Sequence, residues 1–411
     1  MIGAYVFLYA TGLILPVYSA VLPGVKTVLV NNVLVPKTKT NFAKDNITAR
    51  WAAGYPKEWG SEDYYYQIND PEPDDNFHFA FAEDGKVLAL TNSTHAKIFD
   101  LSKNTSVTTF PLDGPTKNFV TDLKIWPAAQ GGYELFAGYA AYQYDIPKVT
   151  HRQSIDSDLT PVGTPIVYQG PIGAISKEGK MASLTGYIYD LTTTDNTPIA
   201  TIEGQPDLTD FSFNPDGVRL ASVSWHAMTA DLWNATSGQK VFEFPSTQSQ
   251  NWAARFSPDG KYILFVLGSP KNTIQIYQSA NLSAAPIEIK GFNDWPRNFA
   301  WSPTGEQLAV GDPNRLRIFN IPSQKIIQTW EVDVLGYPIP PTDISWADGG
   351  KKISWIWREA KYLYDFETNI EWYWNYRTTD HSWGPSGFFY AKDQGYAITA
   401  DGDSTVRFWK L

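Results

Sequence analysis

An aromatic residue stands at the end of a short β-like segment eight times in this chain, and the spacing of these residues constrains the fold more than any other feature. The gaps between them are 45, 45, 44, 44, 42, 45 and 45 residues. The aromatics are Phe99, Tyr144, Tyr189, Trp233, Tyr277, Phe319, Tyr364 and Trp409. A fixed period of this length indicates a repeat protein built from one unit of about 45 residues.

A glycine closes a turn signal in each unit, in step with the aromatics. In residues 214–217, Asn-Pro-Asp-Gly, the proline presets φ, the aspartate bonds its own backbone and the glycine accepts a positive φ. The eight glycines are Gly85, Gly132, Gly179, Gly217, Gly260, Gly305, Gly350 and Gly395. Each unit therefore predicts four short strands, which is the pattern of one β-propeller blade.

The residues also carry a family resemblance. The last unit, residues 397–411, resembles a WD40 repeat, and Tyr189-Asp190 and Trp233-Asn234 resemble the aromatic-acid dipeptide of that family. The resemblance covers residues 77–411, although the Gly-His pair that usually opens a WD40 unit is missing throughout. It implies an all-β fold, a divergent WD40-like propeller.

The units predict a single eight-bladed β-propeller of four-stranded antiparallel blades over residues 21–411. The eighth unit stops at Leu411, directly after its third strand, so the outer strand of that blade must come from elsewhere. We expect the Val/Leu-rich residues 26–35 to supply it and to close the ring, which removes an exposed sheet edge. Seven blades is the alternative, if the weak unit at 171–204 does not form a full sheet.

The N-terminus indicates the compartment. The first 25 residues carry no charged side chain, and residues 1–20 are interpreted as a secretory signal peptide. A membrane anchor is the alternative, in which case the propeller would be membrane-tethered or cytoplasmic. Secretion would expose five glycosylation sequons, at Asn46, Asn92, Asn104, Asn234 and Asn281.

Composition excludes several functions. A net charge of −10 and the lack of a Lys/Arg stripe argue against nucleic-acid binding. The chain has no cysteine, so it has no disulfides, thiolate metal sites or cysteine nucleophiles. No nucleophile elbow, P-loop, zinc-protease motif or dinucleotide fingerprint is present. We therefore expect a non-catalytic binding protein without a cofactor; a propeller hydrolase or metal-dependent enzyme is the remaining alternative.

The binding surface is expected on the face that holds the loops between second and third strands and the connections from one blade to the next, here called the top face. Ring closure would make residues 36–76 a long top-face loop, and long structured loops are often functional. Aromatic anchors there would bind a protein, or a glycan by stacking. The candidates are Trp59, Tyr64, Tyr65, Tyr66, Trp225, Trp252, Trp295, Trp357 and Trp383.

Histidines and aspartates concentrate near the predicted seam between the last and first blades. A divalent cation or an acid/base pair could use such a set, but its spacing matches no named metal motif, and no metal is predicted. Hydrogen bonding within the turns is the other interpretation. The weak candidates are His78, His95, His381, Asp401 and Asp403.

Overall fold

The structure, a computed structural model, describes most of the region from residue 57 onward and three short segments before it. The proposed signal peptide, residues 1–20, and Tyr144 lie outside the described residues. The described residues are 28–30, 33–35, 38–39, 57–60, 62–67, 78–82, 85–91, 95–101, 107–111, 118–128, 131–141, 148–205, 207–313, 315–332, 340–357, 360–374, 385–401 and 405–411.

Eight blades of antiparallel strands form the ring, which confirms the predicted fold and rejects the seven-bladed alternative. The first strands are His78–Phe81, Asn118–Pro127, Ile172–Ile175, Leu208–Phe213, Asn251–Phe256, Asn298–Trp301, Thr342–Ala347 and Pro385–Ala391. The second strands are Val87–Thr91, Tyr133–Ala141, Lys180–Ser183, Arg219–Ser224, Tyr262–Leu267, Gln307–Asp312, Lys352–Trp357 and Tyr396–Asp401. We number the blades 1 to 8 in this order.

The outer half of each blade completes the sheet. The third strands are His95–Asp100, Val149–Ile155, Tyr187–Asp190, Ala230–Asn234, Thr273–Gln278, Arg315–Asn320, Ala360–Asp365 and Thr405–Lys410. The fourth strands are Val107–Pro111, Pro161–Gln169, Ala200–Thr201, Lys240–Glu243, Ile287–Ile289, Lys325–Val332, Ile370–Trp374 and, for blade 8, Tyr64–Gln67. Two short 3-10 helices, Asp348–Gly350 and Lys392–Gln394, are the helical elements among the described residues.

The turn glycines have the backbone conformation that the sequence predicts. All eight have a positive φ, from 65° at Gly217 to 94° at Gly350. Each lies between the first and second strands of its blade. At Gly217 the backbone N–H donates to the carbonyl of Asn214 at 2.9 Å, which closes the reversal.

The aromatic repeat is confirmed in seven blades and is wrong in blade 2. The seven described aromatics lie in third strands and are buried. In blade 2 the third strand is Val149–Ile155, so Tyr144 precedes it. The third strand starts late because the second strand, Tyr133–Ala141, has nine residues and because the interval from Ala141 to Val149 is longer than in the other blades.

Neighbouring blades pack through apolar side chains and through hydrogen bonds that follow the repeat. Asp210 and Ser212 of blade 4 accept the backbone N–H groups of Ala254 and Phe256 of blade 5, each at 3.0 Å. Both pairs are 44 residues apart in sequence, one repeat length. The sequence period is thus also the period of the contacts between first strands.

The N-terminal segment closes the ring, but residues 26–35 do not supply the outer strand. Tyr64–Gln67 pairs antiparallel with Thr405–Lys410. Val28–Val30 pairs instead with Val33–Val35 as a separate two-stranded sheet. Local pairing of adjacent segments closes a short loop at little entropic cost.

Residues 36–76 also differ from the predicted top-face loop, because their strands lie along the outer edges of three blades. Thr38–Lys39 pairs with the fourth strand of blade 6, and Lys57–Glu58 pairs in parallel with that of blade 7. Tyr64–Gln67 then completes blade 8. The described parts of this segment therefore form a belt around the circumference.

No helix in the described residues is both long enough and apolar enough to span a membrane.

Candidate functional site on the top face

Three tryptophans from blade 4, blade 5 and the connection into blade 6 meet on the top face. Trp225 follows the second strand of blade 4, Trp252 is the second residue of the first strand of blade 5, and Trp295 lies in the connection to blade 6. The ring centroids are 5.5 Å apart for Trp225 and Trp252, 5.1 Å for Trp225 and Trp295, and 6.3 Å for Trp252 and Trp295. Each indole is partly exposed. We call these three residues the Trp cluster.

Arg297 covers two of the three indoles. Its guanidinium carbon lies 4.3 Å from the ring centroid of Trp295 and 4.7 Å from that of Trp252. This is cation–π geometry, which holds a long, flexible side chain in one place. Arg297 itself is exposed.

Gly268 allows the cluster to close. A Cβ atom at this position would lie 2.8 Å from Cδ2 of Trp295, closer than side chains tolerate. Gly268 directly follows the second strand of blade 5, so the bare backbone of one top-face loop lies against the indole of another. Sequence reasoning identified the three tryptophans but missed Gly268 and Arg297.

A cavity of about 400 Å³ lies beside Arg297, between the first strands of blades 5, 6 and 7. Arg255, Asn298 and Asp343 are among its polar lining residues. Arg255 is ion-paired with Asp210, and Lys361 with Asp343. Burial raises the pKa of both carboxyl groups, and the neighbouring cation partly offsets this in each case.

Backbone strain accompanies this lining. Asp343 has a φ of 43°, and the register of the first strand of blade 7 shifts between Thr342 and Ser345. Asn and Asp tolerate this region better than other side chains do. Strained positions of this kind concentrate at functional sites.

The other predicted anchors are placed differently. Trp59 is at the circumference, where its Nε1 donates to the carbonyl of Lys410 at 2.9 Å and its ring lies 5.0 Å from that of Trp372. These contacts hold the belt against blades 7 and 8. Tyr64, Tyr65 and Tyr66 are in the outer strand of blade 8 and not in a top-face loop; Tyr65 is exposed. Trp383 and the side chain of Trp357 lie outside the described residues.

The structure describes only part of the predicted histidine–aspartate seam, so the seam stays a prediction. His78 interacts with Val120 and Asp122 of blade 2, and burial is the main reason why its pKa is lowered. His95 is exposed, whereas His381, Asp403 and the side chain of Asp401 lie outside the described residues. Within the described ranges, no three His, Asp or Glu side chains are grouped to hold a metal ion.

Aromatic packing occupies the described part of the seam between blades 8 and 1. The rings of Phe81 and Phe389 are stacked with centroids 4.6 Å apart. A Cβ at Gly387 would overlap the ring of Phe79, so the blades approach closely here. This contact is part of an apolar core shared by the two blades.

Two of the five sequons are described: Asn234 ends the third strand of blade 4, and Asn281 lies in the turn between the third and fourth strands of blade 5. Asn281 is exposed. The Oδ1 of Asn234 accepts hydrogen bonds from the backbone N–H groups of Thr236 and Ser237 at 2.9 and 3.0 Å. Asn46, Asn92 and Asn104 lie outside the described residues.

Comparison with solved structures identifies the fold. The C-terminal WD40 domain of Sif2 matches with a TM-score of 0.64 and 11% identity, over 87% of this chain and 99% of that domain. The fold is that of a WD40-like propeller. Chaetomium thermophilum Sqt1, solved bound to the N-terminus of the ribosomal protein L10, matches with a TM-score of 0.60 and 14% identity, over 85% of this chain and 99% of Sqt1.

A chain of the mitotic checkpoint complex matches this propeller less closely. The TM-score is 0.51 at 13% identity, over 91% of this chain and 99% of the other. No protein-family model and no curated protein sequence matches the chain. At these identities the matches establish the WD40-like fold, and the function has to be argued from the site.

Proposed function

We propose that this WD40-like propeller is a non-catalytic interaction protein that binds a segment of a protein partner at the Trp cluster. The observation that carries the proposal is the convergence of Trp225, Trp252 and Trp295 from two blades and an interblade connection, each partly exposed. Tryptophan and arginine are the residues most enriched among the energetic centres of protein interfaces. Two solved neighbours, Sqt1 with a bound protein N-terminus and a chain of the checkpoint complex, are consistent with protein binding on this fold.

The position of Arg297 favours a protein over a glycan. Sugar recognition by tryptophan uses an open indole face, and the guanidinium already lies over Trp252 and Trp295. Arginine stacked on tryptophan instead leaves hydrogen-bond donors at its edge, as in many protein interfaces. A protein segment can use both the indole edges and these donors.

Gly268→Ala tests the proposal without removing any side chain of the cluster. The added methyl group would displace Trp295, so we expect partner binding to weaken while thermal stability changes little. Gly163→Ala, in the outer strand of blade 2, is a control for glycine replacement away from the cluster; its φ of 71° disfavours alanine, but a Cβ there meets nothing within 4 Å. Retention of full binding by Gly268→Ala and by Trp295→Ala would contradict the proposal.

Secretion and glycosylation belong to the same proposal. They rest on the apolar, uncharged N-terminal residues and on Asn281, whose exposed position in a turn suits a glycan. Mass spectrometry of the protein from its natural host measures both the mature N-terminus and sequon occupancy. If the mature protein keeps residues 1–17 and carries no glycan at Asn234 or Asn281, the result would instead support an intracellular or membrane-tethered scaffold.

A further inference from the structure

Three arginines lie at the top of blade 6, in a chain whose net charge is −10. Arg315 and Arg317 both contact the buried carboxylate of Asp312. Asp294 accepts the backbone N–H of Trp295 at 2.7 Å. Arg297, Arg315 and Arg317 lie here with Asp294 and Asp312, and Glu331 stands opposite Arg315 in the strand ladder, so this region has as many acidic residues as arginines.

Among the arginines and lysines of this region that the structure describes, Arg297 is the one whose charge has no carboxylate partner. Arg255 and Lys361 are each paired with an aspartate in the cavity wall, and Arg315 is paired with Asp312. Within the part of the chain that the structure describes, Arg297 contacts the two indole faces and forms no ion pair. A planar guanidinium held in this way presents its N–H groups at the edge, in the geometry that a carboxylate accepts.

Arg297 also lies between two surfaces of different character. On one side is the Trp cluster, and on the other is the cavity of about 400 Å³, which Arg297 lines together with Asn298. An extended segment that fills both must pass over Arg297 with residues on either side. The carboxylate at that point therefore belongs to a side chain within the segment and not to a chain terminus.

On the basis of the proposed function, we infer that the partner segment is acidic, with an internal Asp or Glu that binds Arg297 and a neighbouring apolar residue that packs on the Trp cluster. Charge complementarity at Arg297 supports this class of ligand over a basic segment, which Arg297 would repel. A bidentate, charge-assisted pair on a prepositioned arginine adds affinity because little side-chain entropy remains to be lost.

The test begins with a random peptide display library selected on the purified chain. Sequences with Asp or Glu beside an apolar residue should be enriched. A selected peptide should bind Arg297→Gln about tenfold more weakly than the unaltered protein. The same peptide with its acidic residue changed, Glu→Gln or Asp→Asn, should bind the unaltered protein more weakly by a similar factor. On Arg297→Gln, the same change in the peptide should reduce the affinity little further. Lys325→Gln, which removes an exposed charge from the opposite end of the same blade, is the matched control and should bind normally.

The outcomes separate this inference from the proposed function. Peptides that require Trp295 but lack an acidic residue, or that bind Arg297→Gln unchanged, would overturn the acidic partner and leave protein binding intact. Loss of binding on amidation of the peptide C-terminus would also overturn it, because the carboxylate would then be terminal. If no selected peptide distinguishes the unaltered protein from Trp295→Ala, the proposed site itself fails. Circular dichroism of each variant verifies folding.

Discussion

The indole Nε1 of Trp233 donates a 2.7 Å hydrogen bond to the hydroxyl of Ser222, inside blade 4. Ser222 in turn donates to Oε1 of Gln205, and the amide of Gln205 donates to the hydroxyl of Thr229 at 3.1 Å. Gln205 precedes the first strand of the blade and Ser222 lies in the second strand. Trp233 lies in the third strand, and Thr229 directly precedes that strand. Buried networks of this kind stabilise a fold only while every member stays satisfied.

We expect Ser222→Ala to destabilise the propeller by about 1–3 kcal/mol, because both the indole N–H and Gln205 would lose a buried partner. The free energy of unfolding from urea titration measures the effect. Ser246→Ala, which changes an exposed serine beyond the same blade, should leave it unchanged. Equal stabilities for the two variants would show that water replaces the Ser222 hydroxyl.

The sequence predicted the fold well because each blade uses the same local chemistry. Turn glycines and buried aromatics recur once per blade, so their spacing could be counted without any structure. Tyr144 shows the limit, because an aromatic at the right distance can still precede the strand. The long second strand of blade 2 and the long interval after it shift the third strand, and a period alone does not measure these lengths.

Ring closure and the site depend on contacts that a single sequence does not specify. Both residues 26–35 and Tyr64–Gln67 have strand-forming composition, and the choice between them follows from local hairpin pairing. The sequence likewise indicated three candidates, Trp225, Trp252 and Trp295. Whether their rings come into contact depends on the conformations of the top-face loops around them. Arg297 matters only because those conformations bring two indoles beneath it.

Two N-terminal deletions test the closure. Removal of residues 1–36 leaves Tyr64–Gln67 in place, so we expect the melting temperature to change little. Removal of residues 1–68 deletes the outer strand of blade 8 and Trp59, which exposes the edge of Thr405–Lys410. Thermal unfolding and light scattering should then show a lower melting temperature and aggregation. If the shorter deletion lowers the melting temperature by a similar amount, residues 26–35 and not Tyr64–Gln67 would be the segment that closes the ring.

Glu371 predicts a pH dependence of stability. It is 3% exposed in the fourth strand of blade 7, opposite Tyr364, and its Oε1 has no hydrogen-bond partner. Burial raises its pKa from 4.5 to about 8. Between these values the folded protein keeps the proton that the unfolded chain has lost. Stability from this group is therefore complete below about pH 4.5 and falls as the pH rises, by as much as about 1.4 kcal/mol per unit.

The measurement compares unfolding free energies across that pH window in the unaltered protein and in Glu371→Gln. Glutamine keeps the shape and cannot ionise, so the variant should lose less stability as the pH increases and should be the more stable of the two near pH 8. Glu306→Gln, at an exposed position in a turn, should follow the unaltered protein. Parallel pH profiles for all three proteins would mean that Glu371 is ionised in the fold.

The last prediction concerns the buried ion pair between Asp343 and Lys361 in the wall of the cavity. The Lys361 side chain is 1% exposed and its ammonium lies 4.7 Å from the centre of the Phe388 ring. Asp343→Asn removes the compensating charge and leaves the backbone undisturbed, since asparagine also tolerates a positive φ. Removing one partner of a buried ion pair costs about 3–5 kcal/mol.

The double variant Asp343→Asn, Lys361→Met should recover most of this loss, because methionine fills a similar volume without charge. Glu367→Gln breaks the exposed pair with Lys351 on the same blade and should change stability little, because solvent screens such a pair. A single variant as stable as Glu367→Gln would show that water reaches the ammonium, and the cavity wall would then be hydrated at Lys361.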